Sequence, residues 1–171
     1  ITFELDNSGV TQSSGFFSGL NVGSHIITIY DGGFCVFTIP IDLSEPDPIT
    51  FSETVSDVAC FGASTGEIEF TGATGGTGAF MYSIDGGNNF DPGAVFTGLP
   101  IGNYDLIVMD ENGCMEFGAA EIIQTLPIQI SNNKADLTCF ENASGFIQLG
   151  ATGGNSGYQY SIDNGATYFA S

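Results

Sequence analysis

The chain is 171 residues long with one lysine (Lys134), no arginine and one histidine (His25), for a net charge of −19. Such a surface cannot neutralise phosphates, which excludes nucleic acid and anionic membranes as partners; it attracts cations or stays soluble and self-repelling. With 42% hydrophobic residues in regular patterns the chain reads as folded, and no stretch approaches the ~20 apolar residues of a membrane helix.

In chain order, Ile1, Phe3 and Leu5 alternate with polar residues, as a half-buried strand does. His25, Ile27 and Ile29 repeat the pattern, and Ser44-Glu45-Pro46-Asp47-Pro48 then reads as a stiff junction. The next strands are expected at 49–58, 66–72, 79–85, 88–91, 94–98, 103–110 and 114–123. Glycines at 75–76, 86–87, 98, 102 and 113 supply the turns between them. Leu99 to Tyr104 has the form of a tyrosine corner, in which Tyr104 closes the turn into the sixth strand. A second junction, Gln124-Thr125-Leu126-Pro127, precedes strands carrying Ile147 and Leu149, then Tyr158, Tyr160 and Ile162. No helical segment of ordinary length is expected. Short strands at roughly ten-residue spacing argue a β-sandwich.

These elements are copies of one another. Cys35 and Cys114 are 79 apart, as are Cys60 and Cys139. The same offset carries Asp6 onto Asp85, Asp31 onto Asp110, and Phe17-Ser18-Gly19-Leu20 onto Phe96-Thr97-Gly98-Leu99. Tyr82-Ser83-Ile84-Asp85 returns at an offset of 78 as Tyr160-Ser161-Ile162-Asp163. Self-similarity at a fixed period marks an array. The expectation is an all-β chain of tandem Ig-like β-sandwich modules of about 79 residues. Residues 1–47 would be the C-terminal part of one module, 48–126 a complete module, and 127–171 the N-terminal part of a third. The chain would then be a window on a longer array.

The ordered set Val58-Ala59-Cys60-Phe61-Gly62, Gly66-Glu67-Ile68, Gly75-Gly76, Tyr82-Ser83-Ile84-Asp85, Gly102-Asn103-Tyr104 and Asp110-Glu111-Asn112-Gly113-Cys114 resembles the SprB-type repeats of very large surface adhesins in gliding and related Bacteroidota. The resemblance implies an extracellular, cell-surface location, export by a type IX system, and a role in adhesion or gliding motility. It brings no catalytic residues. The first copy departs from the pattern with Gly32-Gly33-Phe34 and His25, the third with Phe140-Glu141.

Several constellations invite chemistry. Gly62-Ala63-Ser64-Thr65-Gly66 has the spacing of a nucleophile elbow, but a strand follows it and the copy of Ser64 is Ala143. His25 is copied as Tyr104, so a structural ring is expected there. The glycine-rich run 72–78 lacks the lysine and helix of a phosphate loop. Oxygen ligands for calcium concentrate in two places: Asp85, Asn88 and Asp91 in one loop, and Asp42, Glu45 and Asp47 near Asp57 at the first junction. Calcium is the one cofactor these residues suggest.

Four repeat-locked cysteines suit an oxidising setting and allow three connectivities. Cys60–Cys114 would lie within the complete module, leaving Cys35 and Cys139 to partners elsewhere. Cys35–Cys60 with Cys114–Cys139 would staple neighbours instead. Two cysteines per module make the first the simplest pairing. Against it, the two loops belong at opposite ends of an Ig-like sandwich. End-to-end stacking would bring a Cys60-type loop near the next module's Cys114-type hairpin.

The functional expectation is a structural and adhesive segment of a long extracellular fibre, not an enzyme. Its partners would be neighbouring modules and sister chains. The alternative is a cation-dependent module that binds surface glycans, with Phe90-Asp91-Pro92 as its most variable loop.

Overall fold

Residues 1–33 and 35–170 are described by a computed structural model. Phe34, one of the departures noted above, lies outside the described residues. The chain divides into two compact units, Ile1–Asp47 and Pro48–Ser171. Among the described residues there is no helix.

The first unit is one antiparallel sheet in the order β2-β1-β3-β4. It comprises β1 (Thr2–Leu5), β2 (Thr11–Gln12), β3 (Gly23–Tyr30) and β4 (Val36–Leu43). Phe3 lies opposite Ile29 and Leu5 opposite Ile27, so the alternating apolar residues share one face. On β4, however, Ile39, Ile41 and Leu43 are exposed. This sheet lacks a second layer over that face.

The second unit begins with a sandwich. Strands β5 (Thr50–Ser56), β6 (Gly66–Thr74) and β8 (Val95–Leu99) form one sheet, ordered β5-β6-β8. Strands β7 (Met81–Ser83), β9 (Gly102–Met109) and β10 (Met115–Ile122) form the other, ordered β10-β9-β7. Between them Ile49, Val58, Ile68, Phe70, Leu106, Val108, Ala120 and Ile122 make one buried cluster. Phe70 sits at its centre, with ring centroids 5.5 Å from Phe51, 5.0 Å from Tyr82 and 5.9 Å from Phe96. Tilted and edge-on aromatic contacts at this spacing add to simple burial. Tyr82 and Ile84 pack against the cluster while remaining half-exposed.

Two details differ from the alternation in the sequence. The expected strand at 88–91 is reduced to a bridge between Tyr82 and Asp91, because the segment folds back as a loop. Ile107, on the outward face of β9, is also buried. That loop lies over it: a Cβ placed on Gly87 would be 3.2 Å from the Ile107 side chain.

Beyond Leu126 come two ribbons, β11 (Gln129–Ala135) with β12 (Phe146–Thr152), and β13 (Gln159–Tyr160) with β14 (Phe169–Ala170). Their register repeats the complete sandwich: Ile147 lies opposite Lys134 as Ile68 lies opposite Val55.

Candidate functional site

The loop after β7 is held from within. Asp85 Oδ1 accepts hydrogen bonds from Ser83 Oγ (2.8 Å) and the Asn89 amide (2.9 Å), and its Oδ2 accepts from Asn89 Nδ2 (2.6 Å). The Asn89 side chain, its backbone amide and Ser83 together hold the Asp85 carboxyl down at about 2. Gly86 and Gly87, at φ of 69° and 87°, make the reversal possible. Asn88 Nδ2 donates to Asp85 O, and Asp91 Oδ1 accepts from the Gly93 amide. The copy at Asp163 makes the same bonds, to Ser161 Oγ (2.8 Å) and the Thr167 amide (2.9 Å), and its carboxyl is also lowered to about 2. The three residues expected to bind calcium here are thus engaged in shaping their own loop.

Asp42 is the penultimate residue of β4, opposite Ser24, and Glu45 and Asp47 lie in the irregular stretch after it; all three are exposed. Asp57 stands past the far end of β5, where its Oδ1 accepts the Ile123 amide at 3.0 Å. Among the described residues no three His, Cys, Asp or Glu side chains converge as a metal site.

The most buried carboxylate among the described residues is Asp110, which is 2% exposed. Its Oδ1 accepts the amides of Asn112 (2.9 Å) and Cys114 (2.8 Å), and its Oδ2 accepts that of Thr77 (2.9 Å). Burial pushes this carboxyl up, but the three amides outweigh it and the net shift is downward. Asp110 therefore ties the β9–β10 hairpin to the glycine-rich turn of residues 72–78. A phosphate in that turn would meet the carboxylates of Asp110 and Glu111, not a cation. In the first unit Asp31 repeats the motif, accepting the amides of Gly33 (2.7 Å) and Cys35 (2.9 Å). The 79-residue recurrence of these aspartates was the signal for their role.

Cys60 and Cys114 lie far apart in the fold. Cys60 lies beyond β5, in a turn closed by the Ala63 amide on Cys60 O, and Val58 N donates to Ile123 O just past the end of β10. Cys114 precedes the start of β10. The length of β10 separates them, about 27 Å at ~3.4 Å per residue, whereas a disulfide needs Cα atoms within roughly 7 Å. All four cysteines, Cys35, Cys60, Cys114 and Cys139, are free and exposed. In this structure Cys60 and Cys114 stand apart, and neither is bonded to the other.

The remaining motifs are structural. In the Gly62–Gly66 run, Thr65 Oγ1 accepts the Ala59 amide at 3.0 Å and the Gly62 amide donates to Gln124 Oε1 at 2.8 Å. Ser64 is exposed and β6 follows at once. Gly66 is there for space: a Cβ would stand 2.8 Å from Ile122 Cγ2 and 2.9 Å from Leu99 O. At the corner Tyr104 donates to Pro100 O at 2.8 Å. Its copy His25 donates to the matching carbonyl, Asn21 O, at 2.9 Å, and also to Asp6 Oδ2 at 2.8 Å. With an acceptor at each ring nitrogen, the Asn21 carbonyl first and Asp6 second, the His25 pKa is raised. Nearby, Tyr30 donates to the buried carboxylate of Glu4, which also accepts the Gly9 amide at 2.7 Å.

At the end of β10 the next repeat makes contact. Asn155 Nδ2 donates to Ala59 O at 3.2 Å, and the Gly154 amide donates to Leu126 O at 2.7 Å. A groove lined by Asp57, Val58, Ile123, Gln124, Thr125 and Asn155 runs between them.

These features define a class: an all-β tandem repeat whose carboxylates serve its turns. Residues 52–89 and 131–167 match the family described as SprB repeat, and the chain carries two SprB repeats at those positions. The matches begin 79 residues apart and end 78 apart, which is the internal offset and its one-residue deletion. SprB repeats are structural repeats of cell-surface proteins, and the two matched segments are similar to them. Comparison with curated proteins finds no match.

Proposed function

We propose that the chain is a mechanical segment of an extracellular fibre that gives reach and attachment to a bacterial surface. On this reading residues 1–47, 48–126 and 127–171 are parts of three successive modules. One observation carries the proposal: the first and last strands of the complete sandwich run parallel, with their ends clamped together. Val58 and Gln124 form a parallel bridge, Val58 N donates to Ile123 O, and Asp57 Oδ1 accepts the Ile123 amide. Gln124 reaches on to the Gly62 amide.

Tension entering before β5 and leaving after β10 pulls these strands past each other. All clamp bonds then bear load together instead of opening one by one. The short second junction, with Pro127 and the Asn155–Ala59 contact, limits bending between repeats. Single-molecule stretching of the chain tests the reading. One clear force peak from the complete module, lowered by Asp57→Ala, is expected. Unfolding at a force no higher than that of a zipper-loaded hairpin overturns it, as does hydrolysis of a polysaccharide by the chain.

A further inference from the structure

The complete sandwich carries one cysteine at each pole. Cys60 lies where the chain leaves it: the surrounding turn is tied to the end of β10 by Val58 N on Ile123 O and by the Gly62 amide on Gln124 Oε1. Cys114 lies where the chain enters. Its amide is held by Asp110, and a Cβ on Gly76 would stand 2.9 Å from the Asp110 carboxylate and 3.0 Å from Ile49, just ahead of β5. Both thiols are exposed, and β10 holds them apart. Both recur with the 79-residue period, as Cys139 and Cys35.

The second junction shows which parts of successive repeats meet. Asn155 Nδ2 donates to Ala59 O, the carbonyl next to Cys60. Asn155 is the copy of Thr77, since Ala73-Thr74-Gly75-Gly76 returns as Ala151-Thr152-Gly153-Gly154. The two turns share a backbone: φ is 82° and 58° at Gly75 and Gly76, and 75° and 56° at Gly153 and Gly154. In the complete module the Cys114 hairpin sits on this turn. Asp110 accepts the Thr77 amide through Oδ2 and the Cys114 amide through Oδ1, and the Glu111 amide donates to Thr77 O at 3.1 Å. Thr77 and Cys114 thus hang on one carboxylate. The same hairpin seated on residues 151–157 brings its cysteine to the turn of Ala59 and Cys60.

We propose that Cys60 forms a disulfide with the Cys114-type cysteine of the following repeat, a staple that rests on the fibre of successive modules proposed above. The Cys60 thiolate attacks a small-molecule disulfide such as oxidised glutathione, forming a mixed disulfide and releasing one thiol. The thiolate of the second cysteine then attacks Cys60 Sγ and expels the other. Two protein thiols are oxidised, one small disulfide is reduced to two thiols, and the two protons end on those. The bond crosses the junction that Asn155 already holds. Its two cysteines stand more than a module apart in sequence, so it takes the chain between them out of the path of tension.

The test uses the intact surface protein, alkylated without reduction, cut after glutamate and analysed by mass spectrometry. Cys60 then leaves on residues 54–67 and Cys114 on residues 112–116. The 54–67 peptide is expected joined to the Cys114-type hairpin peptide of the following repeat, and reduction should separate the pair into its two parts. An alkylated, unlinked 54–67 peptide overturns the proposal. So does its linkage to the 112–116 peptide, or to a second peptide of the Cys60 type such as that of Cys139. Unlinked peptides beside an undiminished force peak remove the staple and leave the load-bearing reading intact.

Discussion

Ile68 and Ile147 occupy the same position of two repeats, one fully buried and one 68% exposed, and so provide an internally controlled test of the core. Truncating Ile68 to alanine removes three carbons from between the sheets. At ~0.8 kcal/mol per buried methylene the transfer loss is about 2.4 kcal/mol. The surrounding strands pin the cavity open, since Ile68 lies opposite Val55 on one side and Phe96 on the other. The cavity term brings the total into the range of about 2–5 kcal/mol. With a urea m value of about 1 kcal/mol/M for a unit this small, the midpoint falls by 2 M or more. Ile147→Ala should cost less than about 0.5 kcal/mol. The assay is urea unfolding followed by tyrosine fluorescence. Equal costs at the two positions, or an Ile68 cost below about 1 kcal/mol, would refute the assignment of the core.

Gly66→Ala forces a Cβ against Ile122 and the Leu99 carbonyl and should cost about 1–3 kcal/mol by overpacking; a neutral urea midpoint contradicts the close approach. Asp110→Asn replaces the acceptor of the Thr77 amide with a donor. The variant should melt at lower temperature and exchange its Thr77, Asn112 and Cys114 amides faster; unchanged exchange at Thr77 would count against the anchor. The His25–Asp6 pair gives the first unit a pH window. His25 is raised from 6.5, so its contribution is complete below that value and is lost as pH climbs through the folded pKa; Asp6 is lowered from 3.8, so its contribution is complete above that value and is lost as pH falls through the folded pKa. The first unit should be most stable between those limits, and His25→Tyr should remove the alkaline loss, as read by amide exchange of β1 and β3. Alkylation without reduction, followed by mass spectrometry, should find no peptide joining Cys60 to Cys114; recovering that cross-link would mean β10 is not extended.

The strands and the repeat were legible because alternation and recurrence are local properties. Ile68, Phe70, Leu106 and Val108 could be placed in the core from period two alone. Ile107 could not, because its burial depends on a loop folding across the outer face, a contact between residues about twenty apart with no periodic trace. The oxygen-rich loop at 85–91 was read for its ligands, yet the side chains of Asn88 and Asn89 bring more N–H donors than oxygens, and Asp85 takes them. The two cysteine-bearing turns already belonged at opposite ends of a sandwich. The length of β10 bears on the pairing in a way the count of two per module could not.

A chain with 20 acidic residues and one lysine cannot pair its carboxylates with cations. Among the described residues the ion pairs are Lys134 with Asp136 and His25 with Asp6. The acids instead separate by position. Asp31, Asp85, Asp110 and Asp163 recur with the period and turn onto backbone amides, which fixes the hairpins and loops of each repeat. Glu53, Glu69, Glu116 and Glu121 face outward along the strands, where nothing neutralises them. The first group needs no partner charge, because an amide N–H is a donor every turn already has. The second group keeps neighbouring surfaces apart by repulsion. One composition therefore serves two ends: internal closure of turns without basic residues, and an outer face that resists lateral association.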